Sequence, residues 1–240
     1  MGELFPSNAS VHIMDAMANQ SYLSIWCKDF TEERMLGQIG AFLATVPFST
    51  TRPGFTDLTI RAVDASEAPV LEDDLRAAPL DAGGIIELIR EQLHGDTSYE
   101  VRANWDLWEF DASAAKWVNG PRGLEVFFHG EDYDDGFWRD NGHVQVSLGF
   151  EHFFTGHAGL LGIRQVGKTP AESPEEARFL EAMAWPENLQ TYQEKTQENI
   201  RKLLEWIRRI EKAVAVERLR LWSEGEENFE ARMEEILAAR

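Results

Sequence analysis

The sequence predicts an α+β fold: a mostly antiparallel sheet with helices on one face, followed by a C-terminal helical hairpin or coiled-coil module. Three observations carry this expectation. Residues 124–129 and 143–150 alternate apolar and polar side chains with period two, the mark of strands with one buried face. Residues 32–43 and 81–93 repeat their apolar residues at three- and four-residue steps, the mark of amphipathic helices. Residues 171–240 hold 16 Glu and no Asp, and helical spacing dominates there.

Leu23, Ile25 and Cys27 share one face of a first strand. Thr31 stands as N-cap before a helix with Met35, Ile39, Phe42 and Leu43 on one side, ended by Pro47 and Pro53. Leu58, Ile60 and Ala62 mark a second strand, and Val70-Leu71 a short one. Asp81 caps a helix carrying Ile85, Leu88, Ile89 and Leu93, which Gly95 stops. A long strand runs from Tyr99 to Phe110, with Val101, Ala103, Trp105 and Leu107 facing one way. Leu124, Val126 and Phe128 and then Val144, Val146, Leu148 and Phe150 give two more strands. The order βαβ then αβββ fits a ferredoxin-like variant.

A module boundary near residue 170 separates an acidic α+β module, 1–170, from a helical module, 171–240. The first carries a net charge of -14 and the second -5. Ser173-Pro174-Glu175-Glu176 reads as a capping box. From Pro186 an apolar stripe continues through Leu189, Tyr192, Thr196, Ile200, Leu203, Ile207, Ile210, Val214 and Leu221. One unbroken helix to Ser223 would be about 57 Å long. So long a stripe needs a partner surface: either the chain's own sheet or a homo-oligomer seam through 186–223. A last helix carries Phe229, Met233, Ile236 and Leu237.

Composition narrows the function. The 240 residues carry 42 acidic and 23 basic side chains, a net of -19, which disfavours nucleic-acid binding. A lone Cys27 on an apolar strand face forms no internal disulfide and suits a reducing cytoplasm. No run of 18 apolar residues is present, so no membrane association is expected, and MGELFPSNAS lacks the features of a signal peptide.

Four segments carry candidate chemistry. Pairing Val126 with Val146 sets His129 opposite His143, with Asp132 and Asp134 in the intervening loop, a donor set for a divalent transition metal. Gly162-Ile163-Arg164-Gln165-Val166-Gly167-Lys168-Thr169 matches the phosphate-loop spacing, although Pro170 follows where a helix should start, so Lys168 and Thr169 are its phosphate-binding candidates. Arg102, Asn104, Asp106, Trp108 and Phe110 share the second face of the long strand, and Trp138 lies nearby in sequence; together they are candidates for a partner-binding face. Residues 201–220 hold a local excess of basic side chains that suits a solvated face or docking on the acidic module.

These features lead to a cytoplasmic, non-enzymatic protein-interaction protein. It would neutralise or scaffold a basic protein partner, in the manner of an antitoxin or immunity factor or as the subunit of a complex, and would need no cofactor. The alternative is a metal-dependent hydrolase using the His/Asp cluster of 129–143. A third reading is a nucleotide-binding protein acting through Gly162–Thr169.

Overall fold

The structure is a computed structural model and describes residues 19–111, 114, 116–156 and 174–239. Its strands are β1 (Gln20–Cys27), β2 (Phe55–Ala62), β3 (Leu71–Asp74), β4 (Thr97–Asp111), β5 (Lys116–His129), β6 (Val144–Phe150) and β7 (Val216–Ser223). They form one seven-stranded sheet in the order β3-β2-β4-β5-β6-β1-β7, antiparallel at every pairing. Seven helices appear among the described residues: α1 (Glu32–Leu43), α2 (Ala82–Arg90), α3 (Trp138–Asn141), α4 (His152–Thr155), α5 (Pro174–Met183), α6 (Pro186–Ala213) and α7 (Phe229–Ala238). The class is α+β, with a larger sheet than a ferredoxin-like arrangement has.

Period-two alternation sorts the strand side chains. Leu23 and Ile25 of β1, Leu58 and Ile60 of β2, Val101 and Trp105 of β4, Val126 of β5 and Val146 of β6 all enter one core. Met35, Ile39, Phe42 and Leu43 of α1, Ile85 and Ile89 of α2, Leu203 and Trp206 of α6 and Phe229 of α7 cover that same side. The hairpin register matches the pattern, with Val126 opposite Val146 and Phe128 opposite Val144. Asp81 caps α2 by accepting the Gly84 N–H at 2.9 Å. The Thr31 side chain makes no such bond, and its carbonyl instead receives Arg34 and Met35.

The C-terminal part departs from the expected hairpin or coiled coil. The helix ends at Ala213, Val214 is extended, and Val216–Ser223 becomes β7, which pairs with β1 from Ser21↔Ser223 to Cys27↔Val216. Val214 and Val216 are β-branched, and Arg218 and Arg220 then alternate with Leu219 and Leu221, a strand pattern that the seven-residue step from Val214 to Leu221 disguises as a helical one. Nor is the stripe of α6 free for an oligomer seam: Tyr192, Thr196, Ile200, Leu203, Ile207 and Ile210 are buried within this chain. A second copy pairing β7 to β7 about Leu219 would set Arg218 against Arg220, which like-charge repulsion disfavours. α6, α7 and β7 therefore share one core and one sheet with β1 to β6, while Phe179 and Met183 of α5 form a second cluster with Tyr192. The boundary near residue 170, Ser173 of the capping box and the phosphate-loop match with Lys168 and Thr169 lie outside the described residues.

Polar contacts fix where α6 crosses the sheet. Asn199 is buried, accepts the Trp108 N–H at 2.8 Å, and donates to the carbonyls of Trp108 at 2.9 Å and Phe153 at 3.1 Å. One turn on, Lys202 Nζ donates to the Asp106 carbonyl at 2.6 Å, and the Trp206 indole donates to Thr45 Oγ1 at 3.0 Å. Replacing Asn199 by Leu keeps the branched shape and heavy-atom count of the side chain and strands three backbone groups. A loss of about 3 kcal/mol is expected, since each unsatisfied buried group costs roughly 1–3 kcal/mol. Urea unfolding of Asn199→Leu beside the parent chain measures it, and a change under half of one kcal/mol would show that Asn199 does not anchor α6.

Candidate functional site on the open sheet face

With α1, α2, α6 and α7 gathered on one side, the alternate residues of every strand meet on the other. They lie in transverse rows that the strand register defines. The first row runs Asp74, Asp57, Arg102, Glu125, Ser147, Tyr22, Trp222 across all seven strands. The second runs Glu72, Thr59, Glu100, Phe127, Gln145, Ser24, Arg220. A third holds Arg61, Ser98 and His129 on one side and Trp26 with Arg218 on the other.

The rows enclose two adjoining cavities that share Phe127 and Gln145. The larger, about 590 Å³, is walled by Tyr22, Phe127, Phe150, Phe153 and Trp222, with Glu125 and Ser147 on its floor and the Glu109–Arg122 ion pair at its lip. Both volumes lie within the usual range for ligand pockets. The aromatic wall is held in place. Tyr22 and Trp222 stack with ring centroids 4.4 Å apart, the Tyr22 hydroxyl donates to Glu224 at 3.0 Å, and the Trp222 indole donates to Ser24 at 3.1 Å. Burial, with the Glu224 carboxylate beside it, pushes the Tyr22 phenol up to about 12, so it remains a donor.

The smaller cavity, about 320 Å³, mixes aromatic walls such as Phe127 and Phe137 with polar groups. Arg61, Ser98, Glu100, His129, Tyr133 and Asp134 contribute to it. Its outer wall is the 130–142 loop, pinned where Asp132 N–H meets the Gly95 carbonyl at 2.9 Å and Asp134 N–H meets the Val63 carbonyl at 2.8 Å. Val63 adopts φ 71°, an uncommon conformation for a β-branched residue, so this tie is made at some local cost.

The two histidines are neighbours, as the register predicts, and the His129 N–H donates to the His143 carbonyl at 2.8 Å. Their rings go separate ways. His129 faces Ser98 Oγ at 3.2 Å from Nδ1 and stacks beside Tyr133. His143 follows Gly142, whose φ of 94° and lack of a Cβ allow the chain to pass Ile25; a Cβ there would lie 2.8 Å from the Ile25 nitrogen. His143 Nδ1 then accepts the Cys27 N–H at 3.0 Å, and Trp138 stacks on the ring at 4.2 Å. An imidazole that accepts at Nδ1 carries its proton on Nε2, so His143 has no free lone pair for an ion. Asp132 and Asp134 are exposed while both rings are buried, and no group of three or more His, Cys, Asp or Glu among the described residues is placed to hold a metal. The residues of the expected metal site do not fit an ion, and the hydrolase that would need one loses its support.

The expected partner face is also divided. Arg102 and Asn104 remain on the open side, Arg102 exposed and Asn104 half-buried. Asp106 is buried and receives the Thr50 N–H and hydroxyl; its burial works against ionisation, but bonds from Ser49 and Thr50 and the charge of Lys202 outweigh this and keep its pKa below the ordinary value. Trp108 is clasped by Asn199 under Lys195, whose ammonium lies 4.0 Å from the ring centroid. Phe110 packs on Trp117 and Phe179, and Trp138 serves His143. Trp108 and Phe110 are internal contacts because the twisted β4–β5 hairpin passes beneath α5 and α6. Sequence reasoning missed Tyr22, Glu125, Phe127 and Trp222. Phe127 carried the legible signal, an aromatic on the polar side of a clean alternation. No family model, no curated protein and no solved structure matches the chain.

Burial lowers the pKa of both imidazoles to about 4, that of His129 with a further contribution from His143. The unfolded value is near 6.5, so the stability from keeping the rings neutral is complete above about pH 6.5 and is lost as pH falls toward about 4. The loss amounts to a few kcal/mol on the order-of-magnitude scale of such shifts. Urea midpoints taken between pH 7 and pH 4.5 should fall steeply for the parent chain and less for His129→Gln/His143→Gln. Parallel curves would show that the rings do not govern acid stability.

Proposed function

We propose that this protein is a non-enzymatic binding protein that recognises a protein partner through the open face of its sheet. The supporting observation is the fixed aromatic wall of Tyr22 and Trp222 beside Phe127, at the edge of a cavity on the sheet face opposite α1, α2, α6 and α7. Aromatic side chains whose rotamers are locked before binding lose little entropy on association and make effective anchors. The half-buried polar residues around them, Gln145, Ser147 and Glu125, offer directional bonds that fix the partner's orientation. Neutralising or scaffolding a partner asks for such a surface and for no chemical step. The buried Cys27, its thiol pushed up to about 12 by burial, is unreactive and suits a reducing cytoplasm.

The test is affinity capture from cells that express the protein naturally. Parent, Phe127→Ala/Trp222→Ala and Trp185→Ala chains serve as baits, Trp185 being 64% exposed at the start of α6. A partner retained by Trp185→Ala and weakened roughly 30-fold or more by the double substitution is expected, the scale of a hot-spot pair. Loss with Trp185→Ala alone would move the interface to the helical end of the molecule and reject the sheet face.

A further inference from the structure

Two carboxylates of the open face pair with one guanidinium, and a third adjoins it. Arg102 Nη2 meets Glu100 at 2.7 Å and Arg102 Nε meets Glu125 at 3.2 Å, and Asp57 is the strand neighbour of Arg102 on its other side. Burial raises the Glu125 pKa, and the charges of Glu100 and Asp57 add to that rise against Arg102. A second cation placed here would relieve this repulsion. Beyond Glu125 the first row continues through Ser147 to Tyr22 and Trp222, and Phe127 stands beside it in the second row. Carboxylates next to aromatic faces select planar organic cations, which pair with the first and stack on the second. The chain uses that chemistry on the same face: the Arg218 guanidinium lies 3.5 Å from the Trp26 ring centroid and that of Arg220 5.7 Å from Trp222. From the strand of Glu125 to that of Trp222 is three strand spacings, about 14 Å, or roughly four residues of extended chain.

We infer that the larger cavity of the open face takes an arginine-bearing, extended peptide segment, with one guanidinium between Glu125 and Phe127 and the chain directed toward Tyr22 and Trp222. This rests on the binding function proposed above and names the chemistry of the partner. Gln145 lies between the two cavities and Ser147 on the floor of the larger, both within reach of the peptide's backbone. The Glu109–Arg122 pair closes one end, so added cations are directed to the Glu125 side.

The probe is acetylated, amidated tetra-arginine, titrated calorimetrically into the full chain at physiological salt, with tetra-citrulline as the uncharged counterpart of equal shape. Saturable binding of one peptide per chain is expected. Glu125→Gln should weaken it about tenfold or more, and Gln145→Lys, which sets a cation in the cavity, should abolish it. Glu33→Gln on the exposed side of α1 should leave it unchanged. Equal weakening by Glu33→Gln and Glu125→Gln would mean diffuse attraction to an acidic protein and would overturn the inference. So would the absence of saturable binding with both variants and parent folded. Citrulline binding as tightly as arginine would overturn the cationic specificity while leaving the open face as the binding surface. A partner still captured through Phe127 and Trp222 in the absence of any tetra-arginine binding would likewise separate the two claims.

Discussion

Leu23, Leu58, Val101, Val126 and Val146 leave the sheet on one side, and the removal of that side from water organises the molecule. Each fully buried side chain of this size contributes roughly 1.5–3 kcal/mol, so a seven-stranded apolar face cannot stay open. Helices from both ends of the sequence are drawn onto it, α1 and α2 from the first half and α6 and α7 from the second. Because that demand takes α1, α2, α6 and α7 to one side, the other side is left to side chains that must be content in water. The open face is thus the residue of a packing problem solved on the opposite one.

Apolar burial has no direction and would let α6 slide. The polar residues of its buried stripe supply the direction. Asn199, Lys202 and Trp206 follow one another at three and four residues and reach, respectively, backbone of β4 and α4, backbone of β4, and Thr45 after α1. Three separately positioned elements are indexed by one helix, and only one crossing satisfies all of them.

Much of the fold was legible because period-two and period-3.6 patterns depend on burial alone. The α1 core residues and the Val126–Val146 register came through without correction. What failed had a common cause, which is that tertiary geometry was needed to choose between local patterns. The segment 214–221 satisfies a heptad step and a strand alternation together, and the free edge of β1 decided between them. Trp108 and Phe110 have the parity of an open-face pair, but a 15-residue strand twists enough to bring its end under α6. The pairing of His129 with His143 was readable, whereas the ring directions hang on the backbone turn at Gly142, which no side-chain pattern records. Asn199 was the overlooked clue, an amide within an apolar helical stripe.

The position of β1 in the sheet has a consequence for how the molecule comes into being. Its neighbours are β6 and β7, so the first described strand pairs with residues 144–150 on one side and 216–223 on the other. During synthesis β1 waits for more than a hundred residues before either edge is satisfied, and its second edge is closed only once residues 216–223 have emerged. Such distant pairings slow folding and leave adhesive backbone exposed meanwhile. A chain interrupted after α6 would keep its aromatic-lined face but lack Trp222 and the strand that seals β1, and it would be a species for chaperones and proteases rather than a smaller working protein.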